Sequence, residues 1–347
     1  MVRPKIWLLI SCIVGSNILL SSIEDYYPYR ITPSASNYGN TGIIEIPNAR
    51  FLPEASLRFS FSSSFPNEFT SLTASPFSWL EATYRYTEIK NERYGPITYS
   101  GNQSLKDKGF DLKALIIRES YILPAVSIGL RDIAGTGLFS SEYIVSTKKF
   151  GHLDLTLGFG WGVLGADDNM SNPFQSFSDS FKFRNDGFGQ GGSFSFKNWF
   201  SGETAAFGGI EYDLPKRGLT LKLEYDTSRP DKRQKVEKVQ SRFNLGFNYS
   251  FSENLSFSSY YERGSNFRVA FSLKGNFLND TIPKPPPKKV QKLNKEQQNK
   301  IKEDNDIFYR SLNLSLRDES IYIQAANLKE DEVDVAVASS RFYSLTR

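Results

Sequence analysis

The chain has 347 residues and a net charge of +4, and 14% of it is aromatic, with 28 Phe and 18 Tyr. That length allows two or three domains or one large barrel, and so small a net charge gives no footing for nucleic acid as a partner. One cysteine, Cys12, and one histidine, His152, exclude an internal disulfide and leave no Cys/His set for a structural zinc.

Arg3 and Lys5 precede an apolar stretch from Ile6 to Leu20, which Ser21 and Ser22 follow. This is the layout of an export signal, expected over residues 1–22. Inside it, Leu9-Ile10-Ser11-Cys12 is similar to a bacterial lipobox, in which Cys12 becomes the lipidated first residue. The competing reading is an unmodified Cys in a discarded signal. Either route takes the mature protein out of the cytoplasm.

Residues 24–40 are polar, turn-rich and expected to be extended. Thr41 to Ile46 reads as a short strand ended by Pro47. Strands are then expected near 55–65, 79–88, 109–118, 124–132, 140–150, 152–162, 203–214, 218–227, 241–252, 254–263 and 266–277. With the short first one this makes about twelve, in keeping with the even strand numbers of bacterial single-chain barrels. The segment Leu153-Asp-Leu-Thr-Leu-Gly-Phe-Gly-Trp161 shows why. Its odd positions are apolar and its even positions are polar or small, the period of two that marks a strand with two unlike faces. Leu219–Tyr225, Phe243–Phe251 and Phe267–Leu273 repeat the pattern. Each run has roughly the 9–11 residues of a tilted membrane-crossing strand. Alternation also hides apolar surface from window hydropathy, so the negative mean hydropathy of the chain does not exclude a membrane barrel. Tight connections such as Gly151-His152 and Gly264-Ser265 alternate with long polar ones at 89–108, 163–190 and 228–240.

The expected fold class is therefore all-β, an antiparallel transmembrane barrel of about twelve strands over residues 23–278. A Pro/Lys-rich linker follows at 279–306, where Ile282-Pro-Lys-Pro-Pro-Pro-Lys-Lys289 lacks any strand pattern. Residues 307–347 read as a small partial α/β segment. It has an imperfect helical face over 307–316 and strands at Ser320–Ala326 and Glu332–Ser339. About 40 residues bury too little surface to stand alone.

No residue set points to catalysis. His152 lies in a tight turn, no nucleophile elbow is present, and Gly187-Phe-Gly-Gln-Gly-Gly192 lacks the helix a phosphate loop needs. No cofactor is implied. Asp167-Asp168 reads as a solvated loop rather than a cation site. The informative residues are the charges opposite the apolar face. If Leu57, Phe59 and Phe61 face lipid, Arg58 faces inward. By the same parity the inward set holds Arg85, Lys113, Arg131, Glu142, Lys148, Glu211, Lys222, Glu224, Glu262, Arg268 and Lys274. An Arg or Lys on the lipid face would cost about 2–4 kcal/mol at the midplane, which forces such charges into the lumen. There they either line a hydrated path that binds a polar chain through hydroxyl contacts or pair across strands and plug a narrow barrel. A soluble β-sandwich or lipocalin-like barrel is the competing fold, since it alternates too, with its apolar face inward. Long strands, charged opposite faces and aromatics at strand ends (Trp79, Tyr143, Trp161, Trp199, Tyr212, Tyr225) favour the membrane.

Several longer motifs carry a family likeness. Gly129-Leu-Arg-Asp-Ile-Ala-Gly-Thr-Gly-Leu-Phe-Ser-Ser-Glu-Tyr143, Leu157-Gly-Phe-Gly-Trp-Gly-Val-Leu-Gly165, Trp199-Phe-Ser-Gly202, Phe207-Gly-Gly-Ile-Glu-Tyr212, Leu221-Lys-Leu-Glu-Tyr225 and Tyr261-Glu-Arg-Gly264 stand in order along the chain. Together they resemble the YjbH family of exopolysaccharide- and capsule-associated outer-membrane proteins, over roughly residues 38–277 and more weakly over 307–347. The resemblance implies an outer-membrane barrel, often a lipoprotein, that works with a polysaccharide export operon and has no enzymatic activity. The partners it implies are outer-membrane lipid, polysaccharide and other export proteins, with the C-terminal segment in the periplasm. Members of the family continue past the position of Arg347, so the chain is expected to be a fragment, a split gene or a shortened member. In the first motif, Arg131 and Glu142 are expected on the inward face of neighbouring strands as a cross-strand pair. Two further functional readings are a passive porin and a secreted sugar-binding sandwich.

Overall fold

Residues alternating between aromatic or aliphatic and hydroxyl, glycine or charged side chains build most of the wall of this protein. A computed structural model describes residues 33–184, 196–230, 239–278, 294–296, 299, 304–318, 321–328 and 332–339. Twelve antiparallel strands run in sequence order: β1 (Ser56–Ser64), β2 (Asn67–Phe77), β3 (Leu80–Arg93), β4 (Ser104–Ile117), β5 (Ala125–Arg131), β6 (Ser141–Phe150), β7 (Leu153–Trp161), β8 (Thr204–Leu214), β9 (Leu219–Tyr225), β10 (Phe243–Ser250), β11 (Leu255–Glu262) and β12 (Asn266–Asn276). Each pairs with the next, and β12 returns to β1 in register from Ser56↔Asn276 to Ser63↔Val269. The sheet is thus a closed barrel without an unpaired edge.

The pleat sorts the side chains. On β1, Ser56, Arg58, Ser60, Ser62 and Ser64 are buried inside, while Leu57, Phe59 and Phe61 lie outside. On β9, Thr220, Lys222 and Glu224 point in and Leu221 and Leu223 point out. Phe59, Leu157 and Phe271 are 48%, 58% and 50% exposed. A sandwich would bury such residues between its sheets, so the sandwich expectation falls. The apolar face of a single closed barrel looks outward.

Two details depart from the sequence reading. Thr41–Ile46 is not a wall strand, and the wall contains β2, which the alternation did not reveal. In β2 the inward set is Asn67, Phe69, Ser71, Thr73 and Ser75, whereas Leu72 points out. Large apolar residues thus occupy both parities, which blurs the period. The count of twelve emerges from these two offsetting differences. Among the strand-end aromatics, Trp79 and Tyr212 are exposed, but Tyr143 and Trp161 are fully buried. Trp161 packs against Phe174 and Phe200 of the β7–β8 connection, with ring centroids 5.4 and 5.1 Å away.

The long connections, after β3, β5, β7 and β9, all leave one end of the barrel, here the loop end. The connections at 78–79, 118–124, 151–152, 215–218 and 251–254 lie at the other, the turn end. Residues Ile282–Arg347 form a separate unit. In it, helix α1 (Asn305–Asp318) packs on β13 (Ile321–Leu328), which pairs with β14 (Val333–Ser339). Cys12 and the export signal, Gly187–Gly192 and most of the Pro/Lys-rich stretch lie outside the described residues. Among the described residues no helix is long and apolar enough to cross a membrane.

Candidate functional site

The lumen is occupied by the chain itself. Residues 33–52, just before β1, fold into an irregular hairpin of two successive turns, one closed by the bridge Ala35↔Thr41 and the next by Gly42↔Pro47, and tied together by Asn37 N donating to Ile44 O at 2.8 Å. Three isoleucines, Ile43, Ile44 and Ile46, and the polar Asn37, Thr41, Glu45 and Asn48 are all buried. Both ends of the hairpin lie at the turn end. Pro33 and Ser34 line a small cavity with Ser252, Glu253 and Asn254 of the β10–β11 turn. Arg50 reaches Glu119 in the β4–β5 turn. The tip points to the loop end, where the Tyr38 ring meets Phe69 and Phe139 at 5.1 and 5.9 Å. Arg85 and Arg131 stand over that same ring at 5.1 and 4.5 Å, a cation–π arrangement that holds two buried guanidinium groups beside an apolar surface.

The wall grips this hairpin by its backbone and amides. Glu81 accepts from Thr41 N and Oγ1 at 2.7 and 2.6 Å. Glu224 accepts from Ile44 N and Glu45 N, each at 2.8 Å. Glu262 and Glu211 accept from the amides of Asn37 and Asn48 at 2.7 and 2.9 Å. In the other direction, Arg58 donates to Gly39 O at 2.8 Å, Arg131 to Glu45 O at 2.9 Å, and Lys222 to Ile43 O at 2.5 Å. Lys113 donates to Thr41 O and Arg50 O at 3.1 and 2.6 Å. Each such bond to a charged group contributes about 1.5–3 kcal/mol, and losing one partner inside the barrel costs more than that. Midway up, Ile43, Ile44, Ile46 and Ala49 pack on Tyr143, Val145, Phe207 and Tyr260. Glycines in the wall make the room: a Cβ on Gly209 would stand 2.8 Å from Ile43 Cδ1, and one on Gly129 would stand 2.1 Å from the Tyr143 ring.

Much of the wall's charge closes within the wall. Arg85 pairs with Asp111 at 2.9 Å, Lys113 with Glu81 at 3.3 Å, Lys222 with Glu211 at 3.5 Å and Arg268 with Glu262 at 2.9 Å. The hairpin adds two charges of its own. Glu45 meets Arg263 at 3.1 Å, and Arg50 meets Asp154 at 2.7 Å as well as Glu119. Burial by itself would raise the Glu45 carboxyl, but Arg263 and Arg268 hold it down to about 2. Burial works against the Arg50 charge too, and Asp154 and Glu119 override it and raise its pKa.

Of the residues expected in the lumen, Arg58, Arg85, Lys113, Arg131, Glu211, Lys222, Glu224, Glu262 and Arg268 are buried inside the barrel, and Lys274 shares the inward parity of β12. Lys148 is not in the lumen. The inward residues of β6 are Tyr143, Val145, Thr147 and Lys149, and Lys148 is on the opposite face, 15% exposed, 3.3 Å from Glu119. Apolar residues at both Ile144 and Val145 leave the parity of that strand ambiguous in sequence. Glu142 is buried, but its register partner is Leu130, while Arg131 faces Ser141. The expected Arg131–Glu142 pair therefore does not form. Glu142 instead pairs with Arg184 at 2.6 Å and accepts from Phe200 N at 3.0 Å, which ties down the β7–β8 connection.

The motif from Gly129 to Tyr143 has a structural job. β5 ends at Arg131, so the stretch of β4 from Ser104 to Asp111 lacks a β5 partner. The connection after β5 covers it. Ile133 N donates to Phe110 O at 2.9 Å, Thr136 Oγ1 to Asp107 at 2.8 Å, and Asp132 N to Asp111 at 2.9 Å. At Gly135 a Cβ would stand 2.5 Å from Lys108 O, so only glycine lets the loop lie this close. Sequence reasoning missed the hairpin residues Asn37, Tyr38, Glu45 and Arg50. The available signal was a cluster of Ile43, Ile44 and Ile46 amid Asn37, Gly39, Asn40, Gly42, Pro47 and Asn48, too apolar for a free linker and too broken for a strand. Among the described residues, no group of three His, Cys, Asp or Glu is arranged to hold a metal ion.

Comparison with known proteins gives one family and several barrels. The YjbH family, described as "Exopolysaccharide biosynthesis protein YbjH", matches residues 34–346. A curated relative, the uncharacterized lipoprotein YjbH of Escherichia coli (strain K12), is 40% identical over 260 residues, which cover 74% of this chain. The matched region spans 37% of that relative's length. Among solved structures, the KdgM porin in complex with disordered oligogalacturonate is similar at 10% identity and a TM-score of 0.34, over 64% of this chain and 99% of that one. Outer membrane phospholipase A from Escherichia coli is similar at 11% identity and a TM-score of 0.29, over 65% and 97% of the two chains.

Proposed function

This chain belongs to the YjbH family of exopolysaccharide biosynthesis proteins, and from that premise we propose that it is an outer-membrane barrel that assists secretion or assembly of an extracellular polysaccharide without bond chemistry. The observation that carries this reading is the two-sided wall. Its outer face is a belt of exposed Phe, Leu and Tyr, and its inner face holds paired charges around a hairpin of the same chain. Only a hydrocarbon surround makes the first favourable, and only a polar interior makes the second so. The export signal over 1–22 delivers the barrel, with Cys12 as a lipid anchor in keeping with the lipoprotein name of the relative. Residues 279–306 are a linker to a periplasmic segment at 307–347. With the lumen filled, the resting barrel is closed, which makes a steadily open porin the weaker alternative.

The test is genetic and physical together. Deleting the gene under conditions that express its operon is expected to reduce surface polysaccharide, and the full chain supplied in trans is expected to restore it. The chain should fractionate with the outer membrane. Unchanged polysaccharide on deletion, or recovery of the chain in the aqueous phase, would overturn the reading.

A further inference from the structure

Building on that reading, we propose that the lumen wall is a binding site for a neutral, hydroxyl-rich polymer, and that residues 33–52 are its built-in occupant, withdrawn through the turn end when the polymer enters. Three observations carry this. First, the hairpin enters and leaves at the same end, so it can slide out without threading a chain terminus through the barrel. It makes two successive turns, closed at Ala35↔Thr41 and Gly42↔Pro47, so it occupies more of the lumen than one extended chain would.

Second, four of the wall's ion pairs do not involve the hairpin and stay closed when it leaves. Arg85–Asp111, Lys113–Glu81, Lys222–Glu211 and Arg268–Glu262 are pairs between neighbouring strands. The wall charges outside those pairs are of both signs, Arg58, Arg131 and Arg263 beside Asp154, Glu224 and Asp226, so neither a polyanion nor a polycation meets a surface of one sign. What the wall offers instead is hydrogen bonding in both senses, taken up now by N–H and C=O groups of the hairpin. Hydroxyl groups supply both senses on one chain. Buried wall hydroxyls such as Ser60 Oγ, Thr87 Oγ1 and Ser127 Oγ have no partner in the closed state, so the hairpin does not exhaust the site. Third, outside the midway patch of Tyr143, Val145, Phe207 and Tyr260 the wall is mostly charges and hydroxyls, which hydrate readily on opening.

Glu45 and Arg50 are the two charged latches, one toward each end. The experiment uses the full chain in planar bilayers. Wild type is expected to be nearly silent. The Glu45→Gln/Arg50→Gln variant is expected to conduct with at least about tenfold more openings. Maltoheptaose should block that current, and oligogalacturonate of equal length should not. A cysteine pair at Ala49→Cys and Thr147→Cys, with Cys12 kept as the lipid anchor, joins hairpin to wall where Ala49 N meets Thr147 Oγ1 at 2.9 Å. Oxidised, it should silence the latch variant, and reduction should restore the current. A latch variant that migrates as a folded barrel yet stays silent, or a current blocked only by the polyanion, overturns the proposal.

If the latch variant fails to fold, wild-type latches answer instead. Ser62, whose Oγ donates to Asn37 O at 2.8 Å, is covered by the hairpin. Ser62→Cys should label slowly with an impermeant maleimide, and the lock should abolish labelling; no labelling at all overturns the gate. In cells, a locked chain that fully restores polysaccharide to the deletion strain removes the gate and leaves the export role standing. No deletion phenotype removes the export role.

Discussion

Glu45 illustrates how a single side chain sets the conditions under which the lumen stays shut. Its carboxylate is held at about 2 against the effect of burial, by Arg263 and Arg268. A carboxyl depressed in the folded state contributes stability above its unfolded pKa of about 4.3, and that contribution is lost as pH falls toward the folded value. The latch is therefore expected to hold from pH 7 to 5 and to weaken only below about pH 4. Conductance recorded at pH 7, 5 and 3 checks this, and an opening between pH 7 and 5 that Glu45→Gln abolishes would contradict it. Asp132 behaves oppositely. Burial raises it, Arg85 only partly offsets this, and it stands at about 6. The folded state then holds the proton more tightly, so stability falls as pH rises from about 3.9 toward 6. Asp132→Asn keeps an acceptor for Phe139 N and suits the left-handed backbone at φ 57°. It is expected to gain about 1–3 kcal/mol at pH 8 and little at pH 4. Urea midpoints at the two pH values decide, and a loss at pH 8 would refute the assignment.

At the scale of elements, the connection after β5 replaces a strand that is too short. Its fit depends on Gly135, where a side chain would meet Asp132 Oδ1 at 1.7 Å and the Lys108 carbonyl oxygen at 2.5 Å, the second a backbone obstacle that cannot swing aside. Gly135→Ala is expected to cost about 1–3 kcal/mol and to unseat the loop from β4. Hydrogen exchange should then quicken around Lys108–Phe110 while β9 and β10 keep their protection; uniform protection across the barrel would mean that the loop closes nothing. Strand parity was legible wherever one face was consistently apolar, as in β7, β9 and β12. It was not legible in β2 or β6, because Phe69 and Tyr143 point inward to fill the lumen beside apolar neighbours that point out. Filling an interior with aromatics erases the alternation that reveals a strand.

At the scale of the whole molecule, the decisive quantity is what surrounds the barrel. Leu223→Arg places a charge on the outer face of β9. In a bilayer it is expected to cost about 2–4 kcal/mol near the midplane; in water an exposed substitution of this kind stays within about 0.5 kcal/mol. Unfolding titrations in lipid vesicles separate the two, and a negligible cost together with aqueous recovery would remove the membrane reading. Ten of the twelve lumen charges first singled out, among them Arg58, Arg85 and Arg268, face the inside of the barrel, because a charge opposite an apolar face has only one place to go once the sheet closes. Lys148 and Glu142 escaped that logic because they lie near strand ends, where turns and loops bury or expose a side chain regardless of parity.

The sequence by itself determined an all-β chain with two unlike faces, the positions of the wall strands other than β2 to within about five residues, and its family. These follow from local periodicity and ordered motifs, which need no partner to be read. Only the tertiary structure decided which way the faces point, which charges meet, and that the lumen is filled. Those are long-range facts. Ile44 and Glu224 lie 180 residues apart in the chain, yet a hydrogen bond joins them, and no local pattern encodes a contact that exists only after the barrel has closed.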